Sequence, residues 1–168
     1  IDVSSTELVD LDRSAGYTER QVNGWIDRYG RAKTTSIEAM QILAKWLPDA
    51  MPNQHHSCII HNDYKYDNLL LNPQDLTQIK AVLDWEMATV GDPLCDLGTT
   101  LAYWVQAEEE PQLKPFNLSW VKGNLTRQEL IARYISKTSF DLKQDDLMFY
   151  YVLGLFKVAV IAQQIFAR

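Results

Sequence analysis

The chain has 168 residues, room for one domain with a sizeable buried core, and its 46% hydrophobic and 23% charged residues are an ordinary globular composition. The formal net charge is −6 and no basic run is interleaved with aromatic residues, so nucleic acid is excluded as an expected partner.

Residues 1 to 17 are polar with scattered leucines and carry no readable pattern. Thr18-Glu19-Arg20-Gln21 has the form of a capping box, and Val22, Trp25, Ile26 and Tyr29 follow at helical spacing. The spacing predicts an amphipathic helix over 18–30, ended near Gly30. Thr35 and Glu38 form a second box, opening a helix through Ile37, Met40, Leu43, Ala44 and Leu47 that Pro48 is expected to stop. After a loop over 48–56, Cys58 to His61, Leu69 to Leu71 and Ile79 to Trp85 read as short strands. The last two are joined by a turn at Asn72-Pro73-Gln74-Asp75.

Gly91-Asp92-Pro93 then opens a helix, with Asp92 as cap and Pro93 in the first helical position, running to about Val105. An acidic, proline-flanked loop covers Glu108 to Pro115. A third capping box, Thr126 to Glu129, leads a helix through Leu130, Ile131, Tyr134 and Ile135. A last helix runs from about Leu142 to the end. Its stretch from Leu147 to Ala162 is the most apolar in the chain, but it contains Gly154 and Lys157 and is shorter than the ~20 apolar residues of a membrane span. It reads as a core helix, and no membrane is expected. Cys58 and Cys95 read as buried free thiols of a reducing, cytoplasmic compartment. The chain opens on Ile1 and stops at Arg168 in a helical pattern, as an excised piece would, and such an apolar end favours self-association.

Between the first two strands lies "HNDYKYDN", residues 61–68. Phosphoryl transfer needs a carboxylate to orient the attacking hydroxyl, an amide oxygen and a further carboxylate for Mg²⁺, and a cation near the transferred group. His61, Asp63 and Asn68 occupy the positions of the histidine-x-aspartate-x-x-x-x-asparagine loop of the protein-kinase fold. Lys65 sits two residues after the aspartate, where many serine/threonine kinases also carry lysine. The hairpin then delivers Asp84 in "AVLDWEMATVGDPLCDL". A zinc site from His55, His56, His61 and Cys58 is disfavoured, because no second ligand pair follows at zinc spacing.

The segment 58–104 resembles the catalytic core of the aminoglycoside phosphotransferase and choline kinase superfamily, nearest the branch associated with acyl-CoA dehydrogenase-like proteins. The resemblance implies an α+β, mostly helical fold, the C-terminal catalytic lobe of a protein-kinase-like fold with a small hairpin cluster. It implies an ATP- and Mg²⁺-dependent phosphotransferase acting on a hydroxyl of a small molecule. Asp63 would orient that hydroxyl and Lys65 would reach the transferred phosphate. Asn68 and Asp84 would hold Mg²⁺, and Glu86 would touch a metal-bound water. His61, Asp92 and Asp96 would support the site. The branch points to hydroxylated acyl or acyl-CoA-like acceptors. The acidic run Glu108 to Glu110 could instead favour a cationic one. Neither a glycine-rich loop nor a phosphate-pairing lysine precedes Cys58, so residues 1–168 read as a single catalytic lobe lacking its nucleotide lid, weak or inactive alone. The rival readings are a non-catalytic kinase-like binding or regulatory module and a metal-dependent hydrolase.

Overall fold

The computed structural model describes residues 3, 7, 15–53, 57–138 and 142–168. His55 and His56 of the zinc reading lie outside the described residues. Helix α1 (Tyr17–Ala32) is followed by α2 (Glu38–Asp49), strand β1 (Cys58–Ile60), the hairpin β2 (Leu69–Asn72) and β3 (Asp75–Val82), and a further strand β4 (Thr89–Gly91). Helices α3 (Pro93–Tyr103), α4 (Arg127–Lys137) and α5 (Gln144–Phe166) complete the order. The strands form two antiparallel pairs, β1 with β4 and β2 with β3. This is the expected α+β, mostly helical architecture.

The core lies where α1, α2 and α3 meet α5. Tyr17, Val22, Trp25 and Tyr29 of α1 are buried with Leu94, Leu97 and Leu101 of α3 and with Phe149, Tyr150, Leu153, Phe156 and Val160 of α5. Gly98 and Gly154 set how closely α3 and α5 approach. A Cβ on Gly98 would collide with the Tyr150 carbonyl, and one on Gly154 with the Gly98 carbonyl. By length and composition α5 could cross a membrane. Phe149, Tyr150, Leu153, Phe156 and Val160 are packed into this core instead, while Met148, Leu155, Ile165 and Phe166 stay exposed.

Several local expectations give way to long-range partners. Gly16, not Thr18, caps α1. The Thr18 hydroxyl is buried and donates to Asp92 Oδ2 at 3.3 Å, which takes it away from its own helix start. Ile37 caps α2 without a side-chain bond. Pro48 sits inside the last turn of α2, which runs on to Asp49. Cys58 is half-buried rather than buried, whereas Cys95 is buried. Strand β3 starts earlier than expected, because Asn72 and Asp75 pair directly across the turn. It stops at Val82 because Asp84 turns the chain left-handed into a single 3-10 turn, Trp85–Met87. Two capping expectations hold. Asp92 Oδ1 accepts from the Leu94 amide at 2.9 Å with Pro93 beside it, and Thr126 and Glu129 close a reciprocal capping box on α4.

Candidate active site

The loop from His61 to Asn68 crosses between β1 and β2, and its first half is held by hydrogen bonds from α3, from α5 and from within the loop. Asp96 on α3 accepts the His61 amide at Oδ2 (2.8 Å) and the Asn62 amide at Oδ1 (2.9 Å). Lys157 Nζ on α5 donates to the Asn62 carbonyl (2.9 Å), and Thr100 Oγ1 on α3 donates to the Tyr64 carbonyl (2.9 Å). The Asp63 amide donates to His61 Nδ1 (3.3 Å), and Asn68 Nδ2 donates to the Asp63 carbonyl (2.8 Å). A loop so fully paired keeps one shape.

Within it, Asp63, Lys65 and Asn68 are brought together. Lys65 Nζ bridges both Asp63 oxygens, at 3.2 Å to Oδ1 and 2.9 Å to Oδ2, and stands 5.1 Å from the centre of the Tyr103 ring. Burial pulls the Lys65 ammonium down, but the Asp63 carboxylate outweighs it and the group lies above its ordinary range. Asn68 is buried, and its amide nitrogen also donates to Asp63 Oδ2 at 3.0 Å. With that nitrogen committed to Asp63, the amide oxygen is the atom left to accept or to ligate.

His61 ties this loop to the turn that carries Asp84. Its Nδ1 accepts a backbone N–H, so the ring proton sits on Nε2, which donates to the Leu83 carbonyl at 2.7 Å. The Leu83 amide in turn donates to the Asn68 carbonyl at 2.8 Å. Both backbone groups of the residue before Asp84 are therefore held by the loop. Both nitrogens of the buried His61 ring are occupied by protein atoms, and Trp85 covers it at 4.8 Å between ring centres. Asp84 itself is exposed, at φ 65°, and Glu86 is exposed in the following 3-10 turn. An amide oxygen and a carboxylate on rigidly connected segments suit a hard cation such as Mg²⁺.

Asp96 binds backbone amides of the catalytic loop, and Asp92 binds an amide at the α3 start and a hydroxyl of the core. Asp92 is 2% exposed, caps α3 and accepts the Tyr150 hydroxyl at 2.6 Å. Burial pushes the Asp96 carboxyl up, against the lowering effect of the His61 and Asn62 amides and of Lys157. Sequence reasoning noted Lys157 only as an interruption in an apolar helix. A lone lysine among Leu153, Phe156 and Val160 was the available signal, since a buried cation needs a partner. Burial also drives the Lys157 ammonium below its ordinary range, with Asp96 and Asp63 pulling it back up. In the acidic run, Glu109 is consumed by a bidentate pair with Arg127 (2.7 and 2.9 Å).

A mostly helical lobe with a hairpin-borne carboxylate and a histidine-anchored aspartate loop defines the class: the catalytic lobe of a kinase-like phosphotransferase. The chain belongs to the phosphotransferase enzyme family, which it matches over residues 1–129. A crystal structure from Ralstonia eutropha JMP134, provisionally assigned as an aminoglycoside phosphotransferase, superposes with a TM-score of 0.85 at 29% identity, covering 100% of this chain and 51% of that one. Among curated proteins, acyl-CoA dehydrogenase family member 11 of Gallus gallus is 35% identical over 99% of the chain. Member 10 of Mus musculus is 34% identical over 100%. The chain spans 22% and 16% of those two relatives. The fold and family expected from the motifs are those found.

Proposed function

We propose that this chain carries the catalytic half of an ATP-dependent small-molecule kinase, with a hydroxylated acyl or acyl-CoA-like compound as acceptor. The observation that carries this reading is the double tether of Leu83, which fixes Asp84 to the loop bearing Asp63 and Asn68. Asn68 Oδ1 and the Asp84 carboxylate would hold Mg²⁺, which when bound neutralises phosphate charge, with Glu86 beside it. Asp63 accepts the hydrogen bond of the acceptor hydroxyl and aims its oxygen at the γ-phosphorus. The new O–P bond forms as the bond to the β-phosphate oxygen breaks, ADP leaves, and the hydroxyl proton passes to Asp63. Lys65 balances charge on the phosphoryl group in transit. The nucleotide lid, with its glycine-rich loop and phosphate-pairing lysine, is assigned to the parent protein outside this chain.

The acceptor class is supported by an apolar cavity of about 360 Å³ lined by Tyr103, Val105, Leu155, Val158, Ile161 and Ile165. Tyr103, one wall of the cavity, is also the ring 5.1 Å from Lys65 Nζ, so that side chain stands between the cavity and the site. The pairing of Glu109 with Arg127 removes one of the acidic groups a cationic acceptor would use. The names of the curated relatives point the same way. The test is phosphoryl transfer from ATP to a panel of hydroxyacyl-CoA and aminoglycoside acceptors by the full-length protein, followed by mass spectrometry. Asp63→Asn should lower turnover by about 10²–10⁴-fold. Asp84→Asn should in addition weaken Mg²⁺-dependent ATP binding in calorimetric titration. Unchanged turnover in both variants would sink the assignment.

A further inference from the structure

Asn62 is one of the non-glycine residues in the left-handed region, at φ 67°, and it directly precedes Asp63. A side chain there is held against a local preference and persists only when its surroundings over-determine it. Four segments do so. The Asn62 amide donates to Asp96 on α3. Its side-chain oxygen accepts from the Tyr17 hydroxyl on α1 at 2.9 Å, and its side-chain nitrogen donates to the Met87 carbonyl past Asp84 at 3.0 Å. Its carbonyl receives Lys157 Nζ from α5.

Two of these bonds are made by charged groups, the Asp96 carboxylate and the Lys157 ammonium, and the lysine is buried. Lys157 is 8% exposed, lies mid-helix among core residues, and stands 5.6 Å from the centre of the Trp25 ring. Placing an ammonium there is unfavourable unless it is paired and hydrogen-bonded. Its ammonium donates to the one carbonyl whose orientation sets the peptide leading into Asp63.

We infer that Lys157 is a positioning residue of the phosphotransfer site, which fixes the aim of Asp63 by locking Asn62 in its left-handed conformation. The lock is a matter of loop geometry, and its consequence for turnover rests on the phosphotransferase reading. Hydrogen–deuterium exchange of the wild type, Lys157→Met and Lys157→Arg separates the two. In Lys157→Met the amides of residues 61–63 should exchange about tenfold faster or more, the loss expected for one charge-assisted hydrogen bond, while amides in the middle of α3 and α5 keep their protection. Lys157→Arg should restore much of the loop protection. Loop amides unchanged in Lys157→Met, or rising only in step with α3 and α5, would overturn the inference. Should Lys157→Met fail to fold, Lys157→Ala, which also removes the donor, is read by the same criterion.

In the full-length protein the same variant should lower kcat for ATP turnover more than it raises KM for ATP. Absence of turnover in the wild type, with the exchange result as expected, would sink the phosphotransferase reading and leave the lock standing.

Discussion

Asp92 shows how one buried carboxylate can serve structure inside a motif that reads as chemical. It caps α3 through Leu94 and accepts both the Tyr150 and Thr18 hydroxyls. Asp92→Ala removes a helix cap, about 1 kcal/mol, and takes the acceptor at 2.6 Å from the hydroxyl of Tyr150, a residue 1% exposed, a further ~1–3 kcal/mol. The expected loss is about 2–4 kcal/mol in urea unfolding, whereas Tyr150→Phe should lose only about 1 kcal/mol. An Asp92→Ala chain as stable as wild type would show that the cap and the buried hydroxyl carry no weight. Asp96 differs in kind, because both its oxygens act on the loop backbone and so reach Asp63 at one remove.

At the scale of elements, the contact that organises the lobe is α3 against α5, and glycines govern it. An alanine at position 154 would gain about 1 kcal/mol of helix propensity. Its Cβ, however, would have to displace the backbone carbonyl of Gly98, and a backbone cannot swing aside as a flexible side chain does. Overpacking of ~1–3 kcal/mol or more then wins, so Gly154→Ala should lower the melting temperature. Gly24→Ala in α1 is the control, since nothing lies near the added Cβ, and it should stabilise by about 0.4–1 kcal/mol. Thermal unfolding that moved both variants in the same direction would refute this account.

Elements whose signals are local could be read from the sequence. Asp92-Pro93 and the Thr126–Glu129 box mark helix starts by chemistry contained within four residues. Strand β4 could not be read, since Thr89–Gly91 carries a strand's character only by pairing with β1 across the loop and the hairpin. The reacting groups of the loop stand at a fixed spacing, so they were legible. The clamp on Asn62 comes from four segments far apart in the chain, and no local pattern announces it.

Across the molecule, 22 acidic residues against 16 lysines and arginines give a chain that sheds negative charge as pH falls. One carboxylate in that balance ties distant segments together. Glu109, in the loop after α3, grips Arg127 at the start of α4, and Arg127 Nε also donates to the Leu101 carbonyl at 3.1 Å. Burial pushes the Glu109 carboxyl up, but the Arg127 bonds and the Gln106 amide outweigh it, so the group lies below its ordinary value of 4.5. A carboxylate with a depressed folded-state pKa contributes stability that is present above that ordinary value and is lost as pH falls through the folded one. The pair is partly exposed, so its contribution should be no more than about 0.2–1 kcal/mol. Glu109→Gln should therefore be less stable than wild type near neutral pH. The two urea-unfolding curves should converge well below pH 4.5, where the wild-type carboxyl is protonated and has become a neutral acceptor like the glutamine. A gap of constant size across that range would mean that Glu109 acts through packing alone, and that the loop after α3 is not held to α4 by charge.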